Sequence, residues 1–281
     1  MLNFCTHCDN NYFYKGLALY KSLTEQCPEF TLHWLANDED TFKQLERINL
    51  PNVKQYSLKK LEEENEDLRI AKTNPAGYYG TQWSQYCWSV TPYFINYILP
   101  SIQGKLIYCD SDIYFYRSPQ IILDIVGDKS IGIHTHKFTP PFKDTHTGWY
   151  NVGVMVFENN AIGLEVSGKW KQWLLSTTHE YFAKYGTCGD QKYLDLFPEL
   201  WKDDVCIFDI ENCDHMAPWC CSPIVKSPMF FHFSHFNIDI EKGTWKDSNN
   251  GEWNPAREPQ INKYYHQYNL AIRSMYDRYL R

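Results

Sequence analysis

Asp110 and Asp112 stand two residues apart at the end of an apolar run, Lys105-Leu106-Ile107-Tyr108-Cys109, and Ile113-Tyr114-Phe115-Tyr116 follows. The pattern predicts a buried strand that delivers both carboxylates at its end. Side chains at i and i+2 of an extended segment share a side. Paired carboxylates repel each other and are costly to desolvate unless a cation lies between them. Oxygen donors of this kind suit Mn²⁺ or Mg²⁺, ions that usually also hold substrate phosphates. The chemistry expected is metal-dependent work on a phosphorylated or nucleotide-activated substrate. An isolated Asp-x-Asp also has a plain reading, one acid ending a strand and the other opening a turn, so the rest of the chain must decide.

A third protein ligand has to come from a distant segment. Phe231-His232-Phe233-Ser234-His235-Phe236 offers two histidines in a strand-like run, either as ligands or as core residues bonded to backbone. In Asn151-Val152-Gly153-Val154-Met155-Val156-Phe157 a small polar turn meets a buried strand. Gly153 there permits close approach of a ligand, or a bulge. Gly189-Asp190-Gln191 precedes a short helix, so Asp190 reads as an N-cap or as a grip on sugar hydroxyls. Asp9-Asn10-Asn11-Tyr12 precedes the first helix, whose start favours anions. His134, His136 and His146 surround a loop rich in Thr and Pro, which is expected to be a lid.

The elements that must position these residues alternate. Strands are predicted at Leu2–Thr6, Phe30–Leu35 and from Pro51 to Tyr56, with helices at Asn11–Cys27 and Asp40–Ile48 between them. Leu58–Asp67 reads as an exposed acidic helix. Asn74-Pro75-Ala76-Gly77 breaks the chain, and Gln82–Ile102 reads as a long buried helix with Pro92 at a kink or first turn. Later strands are expected at Ser130–His134, Tyr150–Phe157, Val205–Ile210 and Met229–Phe236. Helices are expected at Ile162–Tyr185, Asp190–Phe197 and Ile261–Leu280. This order implies an α/β fold, a mainly parallel mixed sheet flanked by helices. In such sheets ligands bind beyond the carboxyl ends of the strands, so Thr6, His7 and Asp9 should share one crevice with Asp110 and Asp112.

Composition narrows the function. The chain has 281 residues, 17% of them aromatic, enough for a large core and for aromatic surfaces that stack on sugars. A net charge of −7 with no basic run argues against nucleic acid as the partner. Met1-Leu2-Asn3-Phe4 shows no charged leader before an apolar stretch, so no signal peptide is expected, and no segment reaches the apolar length of a membrane span. The ten cysteines include the vicinal Cys220-Cys221, and the Cys5-Thr6-His7-Cys8 spacing has no matching second half for zinc. Reduced thiols in a cytoplasmic protein are the expectation, with a place at the inner face of the membrane.

Taken in order, five motifs resemble a known family. They are Phe4-Cys5-Thr6-His7-Cys8-Asp9-Asn10-Asn11-Tyr12 with Gly16–Leu23, then Tyr108-Cys109-Asp110-Ser111-Asp112-Ile113, Asn151–Phe157, Gly189-Asp190-Gln191-Lys192-Tyr193-Leu194 and His232-Phe233. The chain resembles the nucleotide-diphospho-sugar transferases of the GT-A fold, close to the glycogenin and lipopolysaccharide galactosyltransferase group. Gln85–Pro92 is also similar to bacterial members of that group. The resemblance spans residues 1–236 and implies a catalytic domain there, with residues 237–281 as a tail carrying an amphipathic helix. It implies that Asp110 and Asp112 hold Mn²⁺ or Mg²⁺ on a diphosphate, with His232 as the third ligand and His235 as the rival. It implies that Thr6, His7, Asp9, Tyr12 and Ser111 line the nucleotide pocket. Asn151, Gly153, Asp190 and Gln191 would face the donor sugar and acceptor, and Lys72 stands in for the family's basic residue near the donor.

The activity so implied is a metal-dependent glycosyltransferase that moves a sugar from a UDP-sugar to an acceptor hydroxyl on a glycan, lipid-linked or protein acceptor, in bacterial surface polysaccharide synthesis. Asp190 is the base for an inverting route, Gln191 the neighbour for a retaining one, and the resemblance favours retention. The alternatives are a sugar-phosphate nucleotidyltransferase and a non-catalytic sugar-binding protein. The loop Thr6-His7-Cys8-Asp9-Asn10-Asn11 has no Gly, Lys or Arg to cradle a triphosphate, which counts against the first. Arg273, Arg278 and Arg281 on the last helix suggest a weak membrane-surface contact, unless its Tyr-rich side packs on the domain.

Overall fold

A computed structural model describes residues 1–73, 75, 81–137, 147–176, 189–208, 214–218, 227–247 and 259–281. The first half alternates as expected: β1 (Leu2–Cys8), α1 (Phe13–Gln26), β2 (Phe30–Ala36), α2 (Glu39–Ile48) and β3 (Val53–Ser57). Then come α3 (Leu58–Glu64), α4 (Glu66–Thr73), α5 (Gln82–Ile98), β4 (Lys105–Cys109), β5 (Ile113–Phe115) and α6 (Gln120–Val126). The second half holds β6 (Ile131–Thr135), β7 (Tyr150–Glu158), α7 (Ala161–Ser176), α8 (Phe197–Trp201), β8 (Val205–Ile207), β9 (Phe230–His232), β10 (Phe236–Asp239), β11 (Thr244–Asp247) and α9 (Pro259–Tyr279).

Seven strands form one sheet in the order β3-β2-β1-β4-β7-β6-β8. β1, β2, β3 and β4 run parallel, β7 is antiparallel to β4 and β6, and β8 is parallel to β6. This is the mainly parallel mixed α/β sheet read from the sequence. Its inner strands are covered on both faces, and their residues alternate between two apolar layers. Cys5, Leu35, Tyr108 and Met155 face the α5 and α7 side, while Phe4, Trp34, Ile107 and Val156 face the α1 side. Strands buried on both faces need continuous apolar runs, which is why β1, β2 and β4 stood out. Helix α1 lies close against the sheet through Gly16, where a Cβ would come within 2.3 Å of the Trp34 ring.

Several elements differ from the reading. The acidic segment after β3 is two helices, and both bury apolar residues: Leu58 and Leu61 in one, Leu68 and Ala71 in the other. Pro92 lies inside α5, which gives way to a 3₁₀ turn at Leu99–Ser101. The helix expected at Asp190 is a 3₁₀ turn, Gln191–Leu196, running into α8. The run Met229–Phe236 is not one strand. It breaks between β9 and β10 at a turn where His235 has φ of 61°.

A third apolar cluster joins Tyr114, Phe231, Phe233 and Phe236 to the Tyr264, Tyr265, Tyr268 and Ile272 side of α9. The Phe233 and Tyr268 rings stack at 3.9 Å. The tyrosine face of the last helix is therefore packed against the protein itself, with Arg273, Arg278 and Arg281 exposed. Among the described residues no helix is long and apolar enough to cross a membrane. The chain break around Asn74 and Gly77, the loop with His146, the extension of α7 to Tyr185, the last residues of the strand expected to reach Ile210, and Cys220-Cys221 all lie outside the described residues.

Candidate active site

β4 sits between β1 and β7, so its carboxyl end opens at the middle of the sheet edge. The two acids there are not in extended chain. Asp110-Ser111-Asp112 forms a tight turn, closed by the Ile113 N–H donating to the Asp110 carbonyl at 3.1 Å. The Asp110 N–H donates to the Gly153 carbonyl at 2.8 Å, which ties the turn to β7. The same-side geometry expected of a strand is thus produced by a turn.

After the turn, β5 pairs antiparallel with β9, and Ile113 lies opposite His232. The Phe233 N–H donates to the Asp112 carbonyl at 2.9 Å. This ribbon places His232 Nε2 3.1 Å from Asp112 Oδ1 and 3.5 Å from Asp110 Oδ2. Ligand atoms of the three residues all lie within 4.8 Å of one another. His235 is exposed in the following turn and is not part of this cluster. Gly153 makes room for the imidazole: a Cβ would sit 2.6 Å from His232 Nδ1 and 2.7 Å from Asn151 Oδ1. The close approach read at Gly153 is therefore to protein groups that face the acids.

Charge in the cluster is strongly coupled. Burial pushes the Asp112 carboxyl up, but His232 and then Lys15 more than reverse this, and it lies below the usual carboxylate range. Burial is also the largest influence on Asp110 and raises it, with His232 opposing. Burial disfavours charge on His232, yet Asp112 and Asp110 outweigh it and raise its pKa. An imidazolium bridging two carboxylates is what such a donor set does without a cation; a divalent ion answers the same charge.

The acids open onto a cleft of about 550 Å³. His7, Asp9, Tyr12 and Ser111 line it as expected. Asp9 Oδ1 accepts from the Tyr12 N–H at 3.2 Å and its Oδ2 from Trp83 Nε1 at 2.9 Å, so one oxygen braces the start of α1 and the other ties it to α5. Thr6 does not reach the cleft. It alternates with His7 along β1 and is fully buried, its hydroxyl without a partner among the described residues.

Asn151, Asp190 and Gln191 also line the cleft. Because β7 is antiparallel to β4, its amino end supplies Asn151 to the edge where β4 ends. Asn151 Nδ2 donates to Gln191 Oε1 at 2.8 Å, and Gln191 Nε2 donates to the Thr147 carbonyl at 2.8 Å and to His136 Nδ1 at 3.0 Å. Asp190 does not cap the turn that follows it with its side chain. It is buried, and desolvation, then the charge of Asp110, push its carboxyl up to about 8.

Lys72 is held by Glu62 at 2.9 Å and does not line the cleft. The cation nearest the acids is instead Lys15 of α1, 2% exposed, with Nζ 3.7 Å from Asp112 Oδ2. A lysine within the apolar run of α1 was the signal for it. His136, read as part of a lid, is fixed at the end of β6; Asn37 and Thr91 were not singled out at all. The strand-end rule that found Asp9 after β1 applies equally to Asn37 after β2.

No family model matches the chain. Two uncharacterized proteins of Bacillus subtilis (strain 168) are similar in sequence. YfnD is 25% identical over 255 residues, 85% of this chain and 79% of that protein. YfnF is 27% identical over 258 residues, 84% of this chain and 82% of that protein. Among solved structures, the galactosyltransferase LgtC in complex with donor and acceptor sugar analogues superposes with a TM-score of 0.59 at 15% identity, over 97% of this chain and 96% of that one. Mouse xyloside xylosyltransferase 1 gives 0.56 at 12% identity, over 83% and 97%. The bifunctional glycosyltransferase WbbM gives 0.58 at 13% identity, over all of this chain and 52% of that one. The fold of this chain is that of the GT-A nucleotide-sugar transferases.

Proposed function

We propose that this protein transfers a sugar from a UDP-sugar to an acceptor hydroxyl, using a divalent ion, Mn²⁺ or Mg²⁺, held by Asp110, Asp112 and His232. The observation that carries this reading is the convergence of those three side chains within 4.8 Å at the carboxyl end of the central strand of a GT-A fold. The donor set fits: two acids and one imidazole, with Gly153 leaving space for the ring. A bound divalent ion supplies Lewis-acid neutralisation of the departing diphosphate, on the order of several kcal/mol.

The chain's own residues do the rest. Lys15 lies against Asp112 and offsets its buried charge. Tyr12, 43% exposed at the cleft, offers a face for the base, with His7, Asp9 and Ser111 around the nucleotide. The Asn151 amide donates to Gln191 and accepts from the Gly153 N–H, which holds both amides in place for the sugar and acceptor. Burial and then the charge of Asp110 push the Asp190 carboxyl up to about 8, so it is largely protonated at neutral pH in the metal-free protein. The retaining route beside Gln191, which the family resemblance favours, is the one proposed. The acceptor class is a glycan, a lipid-linked sugar or a protein, and the setting is cytoplasmic synthesis of a bacterial surface polysaccharide.

The test is a thermal-shift panel of nucleotide sugars with and without Mn²⁺, followed by NMR of the product. A ligand that prefers the native state raises its stability. A UDP-sugar should do so only with the metal, and the new linkage should keep the donor's anomeric configuration. Failure of every nucleotide sugar to shift the transition in Mn²⁺ overturns the reading.

A further inference from the structure

A hydrogen-bonded chain runs from a metal-facing acid to a residue with no role so far. Asp110 Oδ1 accepts from the Tyr108 hydroxyl at 2.7 Å. That proton is committed, so the Tyr108 oxygen can only accept from its other neighbour, Thr91 Oγ1 at 3.4 Å. The Thr91 hydroxyl also hydrogen-bonds the Asp190 carboxyl, so its one hydrogen is taken up by Tyr108 or Asp190, and its oxygen accepts from His7 Nε2 at 3.0 Å. Burial lowers the His7 pKa to about 4, so the ring is neutral and carries one N–H. With that hydrogen on Nε2, Nδ1 is a lone pair and accepts from Asn37 Nδ2 at 3.0 Å.

Two carboxyl groups, Asp110 and Asp190, draw the Tyr108 and Thr91 hydrogens toward themselves and leave the Thr91 oxygen to accept from His7. At the far end the chain fixes the Asn37 amide, its nitrogen on His7 and its oxygen left over. Asn37 is 7% exposed and lines the cleft together with Asp9 and Tyr12. Its Oδ1 has no hydrogen-bond partner among the described residues. A buried amide oxygen in that state is costly unless a ligand satisfies it.

We propose that Asn37 Oδ1 selects the donor's base by accepting a hydrogen bond from a ring N–H. The inference rests on the nucleotide-sugar reading above. Uracil carries such a group at N3 and guanine at N1. Cytosine at N3 and adenine at N1 present a lone pair instead, which would face the Asn37 oxygen without a hydrogen between them. A site built to accept from an N–H rejects analogues that lack it, because its own buried group is then left unpaired. The same chain links base choice to the metal site, since Thr91 and Tyr108 carry the polarity from Asp110 to His7.

Titration calorimetry of the full chain in Mn²⁺ with UDP, GDP, CDP and ADP tests this. Either UDP or GDP should bind roughly tenfold or more tighter than both CDP and ADP, and the panel itself tells the two apart. In Asn37→Ala the favoured nucleotide should weaken by about tenfold, with CDP and ADP changed by less than about threefold. Thr91→Val frees the His7 hydrogen to move between nitrogens and should lose part of the preference, with binding compared in the folded protein because the lost buried hydrogen bonds also lower its stability. A wild-type protein in which neither UDP nor GDP binds tighter than CDP and ADP overturns the inference without any variant. So does an Asn37→Ala protein that keeps the wild-type ranking, and in that case the nucleotide-sugar reading survives. Absence of binding by all four nucleotides to the wild-type protein overturns both.

Discussion

The two halves of the sheet build the cleft by different rules. On the β3-β2-β1-β4 side the strands run parallel, and each site residue follows a strand directly: Asp9 after β1, Asn37 after β2, Asp110 and Asp112 after β4. Their placement is local and needs only the strand and the turn behind it. On the other side β7 reverses the direction, and the site residues arrive through long-range pairing. Asn151 comes from the start of a strand, His232 from the far member of a two-strand ribbon, and Gln191 from a 3₁₀ turn held by Asn151. The first half positions chemistry by chain direction, the second by register and close packing. Damage to the two halves should therefore look different.

The largest effect belongs to the parallel side. Asp112→Ala removes an oxygen donor and should reduce metal-stimulated sugar transfer by roughly a hundredfold or more. Circular dichroism and the unfolding midpoint should stay near wild type. Transfer that remains near normal and still needs metal would contradict the role given to Asp112.

Two glycines sharpen the contrast. Gly153→Ala sets a methyl 2.6 Å from His232 Nδ1, so the ring must move. Mn²⁺ affinity should fall by about tenfold or more, since ligand supports typically matter on that scale. Gly16→Ala instead drives a methyl to 2.3 Å from Trp34, away from the ligands. It should cost stability of about 1–3 kcal/mol as overpacking, with metal affinity kept in the folded fraction. Calorimetric metal titration paired with denaturant unfolding reads both, and equal metal loss in the two variants would erase the distinction.

The smallest effect is a pH dependence. The Asp190 carboxyl titrates at about 8 in the folded protein, above its value in the unfolded chain. Between those values the folded state holds a proton that the unfolded state releases, so stability falls as pH rises from about 4 to about 8. In chelator, Asp190→Asn should lose less midpoint temperature than wild type across that window, by roughly 3 °C or more. Parallel pH profiles for the two proteins would mean that Asp190 does not carry the shifted proton.

What was legible in the sequence follows the same division. β1, β2 and β4 were located within two residues because strands buried on both faces leave unbroken apolar runs, and the half-buried edge strand β3 was located to the same precision. The acids at the end of β4 were found from the same signal. The turn that pairs them was not, since a two-residue spacing reads alike in a strand and in a tight turn. His232 was named among two histidines, but its choice over His235 depends on a left-handed residue inside a phenylalanine-rich run that reads as one strand. Lys72 was favoured as a cation by position, while Glu62 already holds it. Lys15 went unnoticed because a charge inside an amphipathic helix ordinarily points to solvent, and only the packing of α1 onto the turn turns it inward.

The β5–β9 ribbon has three residues on each side and is supplemented by one bridge at Met216. It acts as a gauge for the histidine. Sliding β9 by one position would bring Phe231 or Phe233 opposite Ile113 and swing the imidazole to the other face. A single added or deleted residue within the ribbon, or between Met216 and its partner Phe231 in a way that shifts their pairing, would move His232 away from Asp110 and Asp112.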